Sequence, residues 1–140
     1  NLTDEGSRIM PISGGGYMQA YNAQASVEHD SRLIVHQHIT QNVNDKKEVL
    51  PTLQWFKDNP TLSPSAMLAD AGYFSDDNVK QCTDEKIIPY ISFGKEQHNQ
   101  PLEDRFQEIQ ALQENATDVE KMKHRLQTKE GKELYALRKS

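Results

Sequence analysis

The sequence predicts a mixed α/β fold, a small sheet covered by helices, and three observations predict it. Tyr21, Ala23, Ala25 and Val27 alternate with Asn22, Gln24 and Ser26, the two-residue period of a half-buried strand whose apolar side faces the core. Val49, Leu53 and Phe56 recur at helical spacing. The apolar run Ala66-Met67-Leu68-Ala69 ends at Asp70, and Gly72 and Ser75 behind it read as a tight bend and a helix N-cap, so a strand runs into a helix.

In chain order, residues 1–16 have few apolar positions, with Pro11 and Gly14-Gly15-Gly16, and are expected to be an irregular lead-in. Glu28-His29-Asp30-Ser31 makes a turn, and Leu33-Ile34-Val35 runs on through His36-Gln37-His38-Ile39, closing a β-hairpin with the strand before it. Asn44-Asp45 offers an N-cap for a helix over residues 45–58. Pro51 inside that helix would cost about 3 kcal/mol, so the sequence predicts either a kink or a helix that begins near Leu50. A strand over residues 67–70, a short helix over 76–84 and a strand over 87–93, despite Pro89, complete the order strand, strand, helix, strand, helix, strand.

From Gly94 the composition turns polar, and residues 103–126 read as a helical excursion with two apolar stripes. Phe106, Ile109 and Leu112 form one and Val119, Met122 and Leu126 the other, with a break and an N-cap at residues 115–118. Thr128 caps a last helix whose buried side is Leu134 and Leu137.

At 140 residues and 35% hydrophobic, one modest core is possible. No run approaches the ~18 apolar residues of a membrane span. The start, Asn1-Leu2-Thr3, has neither a basic region nor an initiator Met, so no secretory signal is read and an interior start is expected. The single Cys82 excludes an internal disulfide and fits a reducing compartment, with helix packing as its role. A net charge of −5 opposes a simple nucleic-acid-binding domain, which would present a basic surface to phosphates.

Several residues invite a chemical role. Asp70 stands at a strand end, a common place for a metal-binding carboxylate, although capping a turn is the commoner use of such a residue. Gly14 to Gly16 lack the Lys-Ser/Thr pair and helix of a phosphate loop and read as a flexible turn. His36 and His38 share one strand face and could begin a zinc site, but no third ligand is spaced to join them, and solvent-facing histidines are the better account. Trp55 could stack on a base; in an amphipathic helix it reads as core. Arg105, Lys121, Lys123, His124, Arg125, Lys129 and Lys132 make the most basic stretch, but Glu120, Glu130 and Glu133 among them favour a solvated face.

Leu68-Ala69-Asp70-Ala71-Gly72-Tyr73-Phe74-Ser75 resembles the second-aspartate motif of DDE transposases of bacterial insertion sequences, whose catalytic domain is ribonuclease-H-like. Upstream, Asn1-Leu2-Thr3-Asp4, Ser7-Arg8-Ile9-Met10, Gly16-Tyr17 and Tyr21-Asn22-Ala23-Gln24-Ala25 resemble another block of that family, with Ala20 where the family has Gly. Downstream, Leu126 to Lys139 is similar to its "L.T..G..LYA.RK" helix.

The resemblance implies a ribonuclease-H-like mixed sheet with flanking helices, lacking its first strand and the end of its last catalytic helix. Residues 1–93 would be the central part of the catalytic domain, 94–127 a helical polar insertion and 128–140 the start of the C-terminal catalytic helix. It implies that Asp70 is the second of three catalytic carboxylates and a ligand of Mg²⁺ (or Mn²⁺), the first lying before Asn1 and the third, a Glu, just past Ser140. It also implies that Tyr135 and Arg138 help to organise the site and its phosphates, a task suited to the planar guanidinium fork. Two-metal phosphoryl transfer clamps both ions between carboxylates, and one Asp cannot do this, so the chain alone is expected to be inert. The expected setting is the bacterial cytoplasm at the nucleoid, with transposon-end DNA as partner, a homo-oligomer possible and no membrane. The alternative is a degenerate remnant that folds or oligomerises without acting on DNA; a stand-alone nuclease would need carboxylates the motifs do not supply.

Overall fold

In the computed structural model, residues 4–12, 14–94 and 111–139 are described. The expected apolar stripe at Phe106 and Ile109, the basic Arg105 and the polar stretch 95–101 lie outside them.

The lead-in is more ordered than its composition predicts. Strands β1 (Arg8–Pro11) and β2 (Tyr17–Ala20) pair antiparallel, Arg8 opposite Ala20 and Pro11 opposite Tyr17. Gly14, Gly15 and Gly16 make the connection, all with φ between 93° and 95°, a region closed to most side chains. The glycines make a turn, as read from the sequence; the lead-in is paired rather than irregular.

The second hairpin joins β3 (Asn22–Val27) to β4 (Ile34–Thr40), antiparallel from Asn22 opposite Thr40, with a shift in register between Ser26 and Val27. Its turn is fixed by Glu28, whose carboxylate accepts the backbone N–H groups of Asp30 (3.1 Å) and Ser31 (2.6 Å). A hydrogen bond from the Ser31 side chain, and then these backbone bonds, hold the Glu28 pKa down to about 2. The hairpin is as expected, but its sidedness is reversed. Gln24 is buried and Asn22 and Ser26 are half-buried, whereas Tyr21, Ala23, Ala25 and Val27 are exposed.

A single-turn 3₁₀ helix at Asp45–Lys47, capped by the Asn44 side chain on the Lys46 N–H, precedes α1 (Val49–Asp58). Pro51 therefore falls in the first turn of α1, where its missing N–H has no intrahelical partner to lose. The late-start alternative is the one observed. After a 3₁₀ turn at Pro60–Leu62, β5 (Ala66–Ala69) pairs parallel with β6 (Ile88–Ile91), and α2 (Asp76–Asp84) crosses between them. Ser75 caps α2, accepting from the Asn78 N–H. Helix α3 (Asp118–Gln127) starts with a capping box between Thr117 and Glu120, and α4 (Lys129–Ala136) with the Thr128 side chain on the Gly131 N–H.

Val49 and Leu53 of α1, Cys82 of α2 and Ile87 form one buried cluster. Ala69, Val79, Ile91 and Met122 form a second, with Tyr73 packing against both. Val119 and Leu126 flank Met122, so the second expected stripe is the buried face of α3. Cys82 is enclosed in this core as expected, and burial pushes its thiol pKa up to about 11.

The described strands pair as three two-stranded sheets within this mixed α/β arrangement. Residues 24–28, from β3 into its turn, and 65–70, through β5, line one groove of about 970 Å³, to which Val49, Thr52 and Phe56 of α1 and Leu134 of α4 also contribute.

Candidate functional site

Asp70 closes β5 and begins a 3₁₀ turn, Ala71–Tyr73. Its Oδ1 accepts the Gly72 N–H at 2.8 Å, so the capping role read from the residues is present. The side chain is nonetheless exposed, and it lines the groove described above together with Gln24, Glu48, Tyr73 and Arg138. Capping engages one carboxylate oxygen and leaves the group available to solvent.

Tyr135 and Arg138 come to the same place from the other end of the chain. The Tyr135 hydroxyl donates to the carbonyl of Ala69, the residue before Asp70, at 3.3 Å. The Arg138 guanidinium carbon lies 5.1 Å from the Tyr135 ring centroid, and the side chain lines the groove. Asp70 and Arg138 therefore share one groove, and Tyr135, 65 positions from Asp70 in sequence, bonds to the strand end beside it.

Sequence reasoning missed the group that surrounds the Asp70 turn. A Cβ at Gly72 would meet Asp70 Oδ1 at 3.0 Å and Asp45 Oδ2 at 3.3 Å, so the bare glycine lets a second carboxylate approach. Asp45 Oδ1 accepts the Asn22 (2.7 Å) and Gln24 (3.0 Å) side-chain amides. The Tyr73 hydroxyl donates to Gln24 Oε1. Burial, and then the nearby charges of Asp45 and Asp70, raise the Tyr73 pKa above its ordinary 10.0. Asp45 was legible only as part of an N-cap pair, and Gln24 only as one letter of the upstream block.

The histidines are not solvent-facing, as the sequence reading expected. His36 stacks on Trp55 with ring centroids 4.6 Å apart, and its Nε2 lies 3.1 Å from His38 Nδ1. His38 Nε2 lies 2.7 Å from Oε2 of Glu48, whose side chain is 1% exposed. Burial, and then His38, lower the His36 pKa below 6.5. Glu48 occupies the ring nitrogen of His38 opposite the one that meets His36, so the three do not converge on a point. Among the described residues no group of three His, Cys, Asp or Glu is arranged to hold a metal ion. Trp55 packs in the hairpin interface, stacked on His36 and edge-on to Phe56.

The basic stretch is partly used in packing. Arg125 donates to the Pro89 carbonyl at 2.9 Å and lies over the Tyr90 ring, and Lys123 sits 5.1 Å from the Phe93 ring centroid. These contacts fasten α3 to β6 and to Phe93 just beyond it.

The donor chemistry at Asp70, exposed carboxylate oxygen with a second carboxylate behind Gly72, fits a hard divalent cation such as Mg²⁺ rather than a soft or imidazole-bound metal. Among the described residues no helix is long and apolar enough to cross a membrane. A family model described as "Transposase DDE domain" matches residues 4–140. No curated protein and no solved structure matches the chain.

Proposed function

Because the chain belongs to the transposase DDE domain family, we propose that Asp70 is one of the carboxylates that hold the divalent cations with which such a protein cuts and joins DNA ends. The observation that carries this reading is the position of Asp70: an exposed carboxylate at a strand end, opening on a groove that Arg138 also lines. Divalent ions bound there would stabilise the attacking and leaving oxygens of phosphoryl transfer. Arg138 supplies a guanidinium fork for phosphate oxygens, and Tyr135 holds the end of β5 through the Ala69 carbonyl.

In this reading residues 1–93 belong to the central catalytic domain, 94–127 to a helical insertion and 128–140 to the start of a catalytic helix. Mg²⁺ or Mn²⁺ is the ion, transposon-end DNA the partner and the bacterial nucleoid the setting, with self-association of the protein as a further expectation. One strand-end Asp does not clamp two ions, so the 140-residue chain is inert by itself.

Titration of the chain with Mn²⁺, followed by paramagnetic broadening of backbone amide resonances, tests the reading. Broadening centred on residues 69–73 and lost in Asp70→Asn is expected. Broadening unchanged in Asp70→Asn overturns the role given to Asp70 and leaves the non-catalytic alternative, a folding or oligomerisation module.

A further inference from the structure

The turn that carries Asp70 does not stand alone; it packs against the turn that carries Asp45, and two buried carboxamides join them. Asn78 of α2 is 5% exposed. Its Nδ2 donates to the Lys46 carbonyl (2.8 Å) in one turn and to the Tyr73 carbonyl (2.7 Å) in the other. Gln24 of β3 is 9% exposed. Its Nε2 donates to Asp45 Oδ1 and to Asn22 Oδ1, and its Oε1 accepts from the Tyr73 hydroxyl.

We infer that Gln24 and Asn78 are positioning residues, which lock the Asp70 turn to the Asp45 turn and so fix where the Asp70 carboxylate points. The inference rests on the reading of Asp70 as a cation ligand and adds the device that orients it. An amide has the required chemistry: Asn78 must offer two N–H groups to two carbonyls, and Gln24 must donate and accept at once. Asp at position 78 would supply acceptors against acceptors. Each bond set includes a partner distant in sequence, Gln24 to Tyr73 across 49 positions and Asn78 to Lys46 across 32, so each reaches beyond the local turn geometry that Gly72 and the Asp70 cap already satisfy.

The test compares Mn²⁺ affinity in the full 140-residue chain with Gln24→Met, with Asn78→Ala and with a control, Ile87→Val. Ile87 is buried in the first core cluster, lies outside the groove lining and loses one methylene group. Both carboxamide variants are expected to weaken Asp70-dependent binding about 10-fold, the scale of outer-shell losses at metal sites. Ile87→Val is expected to lower the melting temperature while leaving affinity unchanged. Wild-type affinity in folded Gln24→Met and Asn78→Ala overturns the inference but not the reading of Asp70. Equal weakening in Ile87→Val also overturns it, since general loss of stability then explains the effect. Binding that survives in Asp70→Asn overturns both. Should a variant fail to fold, Gln24→Asn, which keeps the carboxamide and withdraws it by one methylene, carries the same comparison.

Discussion

The helical body and the β3–β4 hairpin are held by opposite kinds of surface. In the body, Val79, Cys82, Ile91 and Met122 are all 0% exposed, and their burial is apolar. In the hairpin, Ile34 and Ile39 are 61% and 72% exposed, while Asn22, Gln24, His36 and His38 turn toward the body. Buried polar groups must find hydrogen-bond partners or pay a desolvation penalty, so the hairpin is attached by direction rather than by area. Gln24 meets Asp45 and Tyr73, His38 meets Glu48, and His36 stacks on Trp55. The same polar attachment surrounds the Asp70 turn. The teaching is that this protein keeps its apolar packing behind the candidate site and its hydrogen-bond network beneath it.

Substitutions in the body should then act through volume. Met122→Ala is expected to destabilise by about 2–5 kcal/mol, because it opens a cavity in the cluster that Met122 forms with Ala69, Val79 and Ile91. A urea midpoint unchanged from wild type would show that the body is loosely packed and would erase the contrast. Gly131→Ala is the complementary experiment, adding an atom instead of removing several. A Cβ there would lie 1.8 Å from the Arg125 carbonyl oxygen, a backbone atom that cannot turn aside. The corner between α3 and α4 must shift, at about 1–3 kcal/mol, and Tyr135 and Arg138 shift with it. Thermal unfolding reads the loss.

The two regions also differ in how far their sequence could be read. Caps at Ser75, Thr117 and Thr128 were legible because a cap is a local bond between residues two or three apart. The stripe Val119, Met122, Leu126 was legible because its apolar side is its buried side. The alternation in residues 21–27 gave a strand correctly and its inward face wrongly, since a period of two does not say which face meets the body, and here the polar face finds Asp45 and Tyr73. β1 and β2 were missed because a four-residue strand with Pro11 has no pattern longer than its turn. Asp70, Tyr135 and Arg138 were placed by motif; that Asp70 and Arg138 line one groove, with Tyr135 bonded to the Ala69 carbonyl beside them, is a fact of tertiary structure. Asp45, Gln24 and Asn78 could not be grouped from the sequence, as nothing local connects positions 24, 45 and 78.

In the hairpin, substitutions should act through unmatched polar groups. His38→Ala removes the imidazole from Glu48 Oε2 and leaves a carboxylate that is 1% exposed with Asn42 as its remaining side-chain partner. A loss of about 1–3 kcal/mol is expected, read by urea denaturation, from deleting one partly exposed ring. His38→Gln, which can still donate, should recover part of it. An equal loss in both variants would mean that the ring's packing and not its hydrogen bond holds the hairpin.

A smaller effect follows from pH. Burial, and then His38, lower the His36 pKa in the folded chain below the ordinary 6.5, so folding disfavours the charged ring. The sign is that stability is full above pH 6.5 and declines as the pH falls through that value, because the unfolded chain then binds the proton more readily. Urea midpoints measured from pH 8 to pH 5 should fall more steeply in wild type than in His36→Gln. Parallel curves would remove His36 from the buried polar face.

The smallest expected effect is the sharpest test of sidedness. Ile39 is 72% exposed on the outward face of β4, opposite Ala23. Ile39→Thr keeps the β-branched shape that a strand favours and removes one apolar group from solvent, so stability should change by no more than about 0.5 kcal/mol. Thr40→Val, on the inward side of the same strand, exchanges a hydroxyl that accepts the Asn42 N–H at 3.2 Å for a methyl group and should cost more. If instead Ile39→Thr is the costlier change by thermal denaturation, the outward face is covered in solution. The hairpin would then be held by apolar area after all, and the contrast with the body would disappear.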